Sequence, residues 1–261
     1  MRKKKSSSKK RLIIILLIFI VVCIAVLFKG FQYFLQQEEK KQARLSRYDV
    51  FGIEIPQGYL IHGIDISSHQ SFVFWPSVKR MKVEDVQVGF VYIKATEGIK
   101  DEDKLFKRNW EGAKQARIPR GAYHFFISTK SGLIQARNFI KTVSLQKGDL
   151  PPVVDVEQLY GVTPALMRRR MKECLQKLEQ WYQIKPLIYT NIDFYQNFLG
   201  KEFDDYPLWI ANYLEPEKPQ IKRDWLFWQH NDKGRIDGIR TRVDFNVFNG
   251  DSLAFKRLLL N

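Results

Sequence analysis

Cysteine is nearly absent: 261 residues carry only Cys23 and Cys174. Cys23 lies inside a long apolar run, so no disulfide can form within the rest of the chain, which must be held by its core. Cys174 falls on the apolar face of an expected helix with Met167, Met171, Leu175, Leu178 and Tyr182. That pattern makes it a packed thiol rather than a nucleophile. Histidine is equally scarce. His62, His69, His124 and His230 show no close ligand spacing such as H-E-x-x-H, so no metal site is expected. The turn after the first apolar strand, DISSHQS at 65–71, has no glycine, against the phosphate-binding turn of a doubly wound nucleotide fold. No cofactor is expected.

Positive charge is abundant but unevenly placed. The formal net charge is +15, yet seven Lys/Arg fall in the first eleven residues, and residues 48–261 carry 31 basic against 26 acidic side chains. A nucleic-acid surface is therefore weakly supported, and no nucleic-acid partner is expected. The basic start leads into LIIILLIFIVVCIAVLF, Leu12 to Phe28, unbroken by any polar residue. As a helix it rises about 25 Å, and Gly30 to Leu35 extend it toward the roughly 30 Å of a hydrocarbon core. No small-x-small cleavage site follows, and Val22 precedes Cys23 where a lipoprotein carries a small residue. The expected organisation is a basic cytoplasmic tail (1–11), a single-pass signal anchor (12–29), a polar stalk (30–58) and a folded body (59–261). The body is expected on the periplasmic or extracytoplasmic side of a bacterial cytoplasmic membrane.

From Tyr59 onward short apolar strands recur: YLIHGIDIS, VGFVYIKAT, RGAYHFF, PPVVDVE, KPLIYTN, YPLWIANY, WLFWQHN and RVDFNVF. Helical patterns lie between them, over Asp103–Arg117 and from a Thr163–Pro164 start to about Tyr182. Alternating strands and helices predict a parallel sheet. Polar residues gather at the strands' C-terminal ends: Asp65, Lys94 with Glu97, His124, Asp155 with Glu157, and Asn191. Barrel enzymes build their sites there, so an irregular β/α barrel is expected. The turn-like HNDKGRIDGIR before Val243 suggests a late antiparallel hairpin.

In PPVVDVE, alternation sends Asp155 and Glu157 to one face and Val154 and Val156 to the other. Two close, partly desolvated carboxylates push at least one pKa upward, giving the acid and carboxylate pair that glycoside hydrolysis uses. A helix cap with a surface acid, or half of a metal site, would read the same way in isolation. Tyr92, Tyr123, Tyr189, Trp209, Tyr213 and Trp228 lie in or just beyond strands, where flat rings stack on sugar faces or simply pack.

Eight segments in order, GIDISSHQ (63–70), FVYIKATEG (90–98), NWEGAKQARIPRGAYHFF (109–126), PPVVDVE (151–157), LIYTN (187–191), LWIANY (208–213), FWQH (227–230) and VDFNVFNG (243–250), resemble glycoside hydrolase family 25, the lysozyme or N-acetylmuramidase family. The resemblance implies an irregular TIM-like α/β barrel of five β/α units followed by three antiparallel strands. It implies hydrolysis of the β-1,4 bond between N-acetylmuramic acid and N-acetylglucosamine, with peptidoglycan glycan strands as the partner. It places Glu157 as general acid/base and Asp155 as the group stabilising the reacting centre, with Asp65 and Asp244 as further acids of the groove. Lys94, Glu97, Tyr123, Tyr189, Trp209 and Gln229 match positions that contact substrate or hold the acids. Strand spacing leaves retaining and inverting routes open. A substrate-assisted retaining route suits an N-acetylated sugar and is the expectation. The alternatives are an inactive wall-binding module using the same groove and a chitinase-like barrel. LPPVV at 150–154 lacks the upstream aspartates of the latter.

Overall fold

The computed structural model describes the backbone of residues 5–43, 45–213 and 215–260, and side chains over 13–35, 49–213 and 215–260. Residues 1–4 of the expected tail and Arg44 of the expected stalk lie outside the described residues. The chain divides into two compact units, one ending at Leu45 and one starting at Ser46.

The first unit is a helix, α1 (Lys5–Ala43). Its stretch Ile13–Leu35, 23 residues, is long and apolar enough to cross a membrane. At about 1.5 Å per residue it rises roughly 35 Å, so the apolar length extends past Phe28 as expected from Gly30 to Leu35.

The second unit is a closed barrel of eight strands: β1 (His62–Ile66), β2 (Val86–Glu97), β3 (Arg120–Phe125), β4 (Val153–Asp155), β5 (Leu187–Asn191), β6 (Leu208–Ala211), β7 (Phe227–Gly234) and β8 (Val243–Phe248). Every strand expected from the sequence is present. Each strand from β1 to β6 pairs in parallel with the next, and β8 closes the ring antiparallel to both β7 and β1. The expectation of three antiparallel strands at the end is therefore corrected to one. Residues 192–207, with short helical turns, and 212–226 are long enough to return the chain to the starting edge, as a parallel pairing needs. Of the three late connections only 235–242 is a hairpin, so the barrel strands reverse direction once there, between β7 and β8.

Helices α2 (Trp75–Arg80), α3 (Phe106–Gln115), α4 (Gly132–Thr142) and α5 (Pro164–Tyr182) lie between successive strands β1 to β5. At the start of α5 the Thr163 hydroxyl accepts from the Leu166 amide at 3.3 Å, with Pro164 in the first turn. Met167, Met171, Cys174, Leu175 and Leu178 bury its inner face, and burial pushes the Cys174 thiol upward, as suits a packed side chain.

Residues 49–58, expected as stalk, belong instead to the body. Phe51, Ile53 and Ile55 are buried, and the Arg235 amide donates to Phe51 O at 2.9 Å. The period-two alternation Phe51, Ile53, Ile55 is a strand signal.

Two apolar layers result. The outer one joins sheet to helices and includes Val154 and Val156. The inner one fills the barrel with Phe90, Tyr92, Val153, Leu187, Phe227, Phe248 and Phe255. Glycine makes this plug possible, since a Cβ on Gly63 or Gly121 would come within 2.5 and 2.1 Å of the Phe90 and Tyr92 rings.

Candidate active site

Inward positions one step further along the same strands line a cleft of about 430 Å³. All ten residues expected at the site reach it: Asp65, Lys94, Glu97, Tyr123, Asp155, Glu157, Tyr189, Trp209, Gln229 and Asp244. Register explains their convergence. Asp65 pairs with Asp244 across β1 and β8, Asp155 with Tyr189 across β4 and β5, and Tyr189 with Trp209 across β5 and β6.

A hydrogen-bond chain holds Asp65. Its Oδ2 accepts from Gln229 Nε2 at 2.8 Å and Asn246 Nδ2 at 2.7 Å. Both amides are oriented from behind. Trp209 Nε1 donates to Asn246 Oδ1 at 2.8 Å, while the Tyr189 and Tyr213 hydroxyls donate to Gln229 Oε1 at 2.7 and 2.6 Å. With their oxygens occupied, both amides can turn only N–H groups toward Asp65. These bonds favour the anion, yet burial first and the Asp244 charge second raise Asp65 well above the usual carboxylate range.

Asp155 is also raised well above that range, by burial first and then by Glu157 and Asp65, while Lys94 pulls the other way. Its Oδ1 is buried and has no hydrogen-bond partner among the described residues. Burial raises Glu157 too, opposed by the Tyr189 hydroxyl. That hydroxyl has one proton, and the 2.7 Å bond directs it to Gln229, so its hold on Glu157 is the weaker of the two. Asp244 is pushed up to about 6 by burial first, then by Asp232 and Glu157. The cleft thus holds carboxyls on which a proton persists at mild pH, beside a buried carboxyl oxygen that no donor among the described residues satisfies. Lys94 reaches Glu97 Oε2 at 2.7 Å and lies 4.7 Å over the Phe125 ring.

Two polar strand-end residues point elsewhere. His124 faces the helix layer, with Nδ1 2.7 Å from Thr96 Oγ1 and Nε2 3.2 Å from Gln135 Oε1, and burial lowers it to about 4. The alternation that brings Tyr123 inward sends His124 out. The Asn191 side chain caps the turn after β5 by accepting from the Phe194 amide at 2.9 Å. Of the aromatic residues, Tyr92 is in the inner plug and Trp228 in the outer layer.

The sequence reading missed Ser67, His69, Phe125 and Asp232 as cleft residues and Asn246 beneath Asp65. Asp232 was hidden in a turn-like segment that continues β7. Asn246 stands two residues after Asp244 on β8, the spacing that puts both on the inward face. Among the described residues no three His, Cys, Asp or Glu side chains are arranged so that they could hold a metal ion.

The sequence profile described as Glycosyl hydrolases family 25 matches residues 64–239. YegX of Escherichia coli K12 is 42% identical over 200 residues, 77% of this chain and 74% of that protein. Lysozyme M1 of Streptomyces globisporus is 32% identical over 216 residues, 77% of this chain and 72% of that protein. A solved family 25 glycosyl hydrolase from Bacillus anthracis aligns with a TM-score of 0.73 at 28% identity, covering 82% of this chain and 100% of that one. A barrel with an acid-lined mouth, a profile match over most of the barrel and these relatives converge on one assignment: the chain belongs to glycosyl hydrolase family 25 and is a glycoside hydrolase.

Proposed function

We propose that the protein is a membrane-anchored lysozyme that hydrolyses the β-1,4 bond between N-acetylmuramic acid and N-acetylglucosamine in peptidoglycan. Family membership and the similarity to Lysozyme M1 support the substrate. The observation that carries the mechanism is Asp155, whose buried Oδ1 lacks a donor beside the raised Glu157.

In this reading Glu157 gives its proton to the leaving glycosidic oxygen as that oxygen parts from the anomeric carbon. The sugar's own acetamido oxygen attacks the carbon, and the acetamido N–H donates to the carboxyl group of Asp155. Water then opens the cyclic intermediate and returns a proton to Glu157. Two displacements retain the β configuration. Asp65 and Asp244 shape the field of the groove, and Lys94, Glu97, Tyr123, Tyr189, Trp209 and Gln229 hold the acids or contact the glycan. The expected tail and anchor keep α1 in a cytoplasmic membrane, with the polar end of α1 setting the reach of the barrel on the extracytoplasmic side. An inactive wall-binding module is the second reading, and the four acids retained in one cleft disfavour it.

The test is digestion of purified peptidoglycan by the detergent-solubilised chain, wild type beside Glu157→Gln, with borohydride-reduced fragments read by mass spectrometry. Reduced muramic acid at new ends, lost in the variant, is expected. Wild-type protein that binds peptidoglycan and leaves it uncut would make the groove a binding site. An α-anomeric first product by proton NMR would exclude retention.

A further inference from the structure

Three residues beyond Glu157 the chain makes a turn that is costly in an unusual way. The Val162 amide donates to Leu159 O at 3.1 Å, and the two central residues, Tyr160 and Gly161, have φ of 51° and 82°. A turn with two positive φ values suits Asn-Gly or Gly-Gly. Here a tyrosine takes the first place, where its Cβ crowds the backbone by about 1–2 kcal/mol.

The flanking residues show how this conformation is held. Leu159 and Val162 both pack against the outer core, pinning the turn at its base. The Tyr160 ring contributes nothing comparable, being 42% exposed. Three residues of chain keep Tyr160 within about 11 Å of Glu157, which lines the cleft, and its hydroxyl is raised from the usual phenol range by partial burial first, then by the charges of Glu97, Asp155 and Glu157. A strained backbone that holds an exposed aromatic ring beside reactive carboxyls has no account in packing.

We propose that Tyr160 is a stacking platform for a pyranose ring of the glycan, a binding determinant at the rim of the cleft. A flat aromatic face matches the axial C–H face of a sugar, and a pinned turn offers it without an ordering cost on binding. The proposal rests on the glycan-hydrolase reading above and names a contact of that same site.

The experiment compares Tyr160→Gly with Tyr160→Phe, each also made in the Glu157→Gln background. Binding of soluble, peptide-free glycan strands is followed on the uncut background by intrinsic fluorescence. Glycine relieves the positive φ, so its melting temperature should hold or rise while Kd weakens about tenfold. Phenylalanine keeps the ring and should rescue the Kd. In the active background the glycine variant should raise KM about tenfold and change kcat less than about threefold. Unchanged glycan Kd in Tyr160→Gly would overturn the platform, as would a loss confined to kcat, which would mean that the turn acts through Glu157's position. If the wild type cuts no glycan, the hydrolase reading falls, while the Kd comparison still decides the role of the ring.

Discussion

Val153 and Asp155 stand on one short strand, point into one barrel and are both buried, yet they sit in opposite surroundings. Val153 joins the plug of Phe90, Tyr92, Leu187, Phe227 and Phe248, while Asp155 faces the cleft with Asp65, Glu157 and Asp244. The same change recurs around the ring, from Phe227 to Gln229, from Gly63 to Asp65 and from Phe248 through Asn246 to Asp244. Two to four residues of chain carry each of these strands from the part of the interior that stabilises the fold to the part that strains it. The closed sheet lets one do both, because strand pairing runs through both levels while the side chains change.

The sharpest test of this division is at Glu157. Glu157→Gln should lower the rate on peptidoglycan about 10²–10⁴-fold, as expected for loss of a general acid. Its melting temperature should hold or rise, since an acid raised by burial is a destabilising one. A variant that loses activity and stability together would break the comparison. The plug should answer in reverse: Phe227→Ala should cost about 3–5 kcal/mol in urea unfolding, with residual activity tracking the folded fraction.

Asp244 gives the comparison a pH axis. Its folded pKa of about 6 lies above the ordinary carboxylate value of 3.8. The folded state therefore binds the proton more tightly, and the stabilisation this gives is complete below pH 3.8 and lost as pH rises through about 6. Asp244→Asn should remove that loss, so its melting temperature should exceed wild type by a margin that grows between pH 4 and 7, by roughly 2–4 °C for each kcal/mol relieved. A margin flat with pH in scanning calorimetry would sink the assignment. The smallest expected effect lies outside both levels. Thr163→Ala removes the cap of α5 and should cost about 1 kcal/mol by denaturant titration, with no change in KM.

Much of this was legible in residue order. The period-two alternation of PPVVDVE predicted that Asp155 would face away from Val154, and it does: Val154 is in the outer layer and Asp155 lines the cleft. The Thr163–Pro164 start of α5 was equally plain, because cap and first turn are local. The short strand Ile53–Pro56, with buried Phe51 just before it, is hidden in a stretch that reads as polar stalk. The direction of β6 and β7 was misjudged because a loop's length constrains a crossover only once the pairing partner is known.

What residue order determined by itself was the chemistry available: which strands exist, which face of each is apolar, and which acids, amides and rings stand at their ends. What only the closed barrel decided was who meets whom. Asn246 and Asp65 are 181 residues apart and 2.7 Å from one another. The 2.8 Å bond from Gln229 to Asp65 and the unpartnered Oδ1 of Asp155 likewise exist only once the ring is closed. Alternation along a strand is fixed by local covalent geometry, so the sequence carries it directly. Register between strands, and the raised carboxyls that follow from it, depend on long-range pairing and burial, which no local pattern encodes.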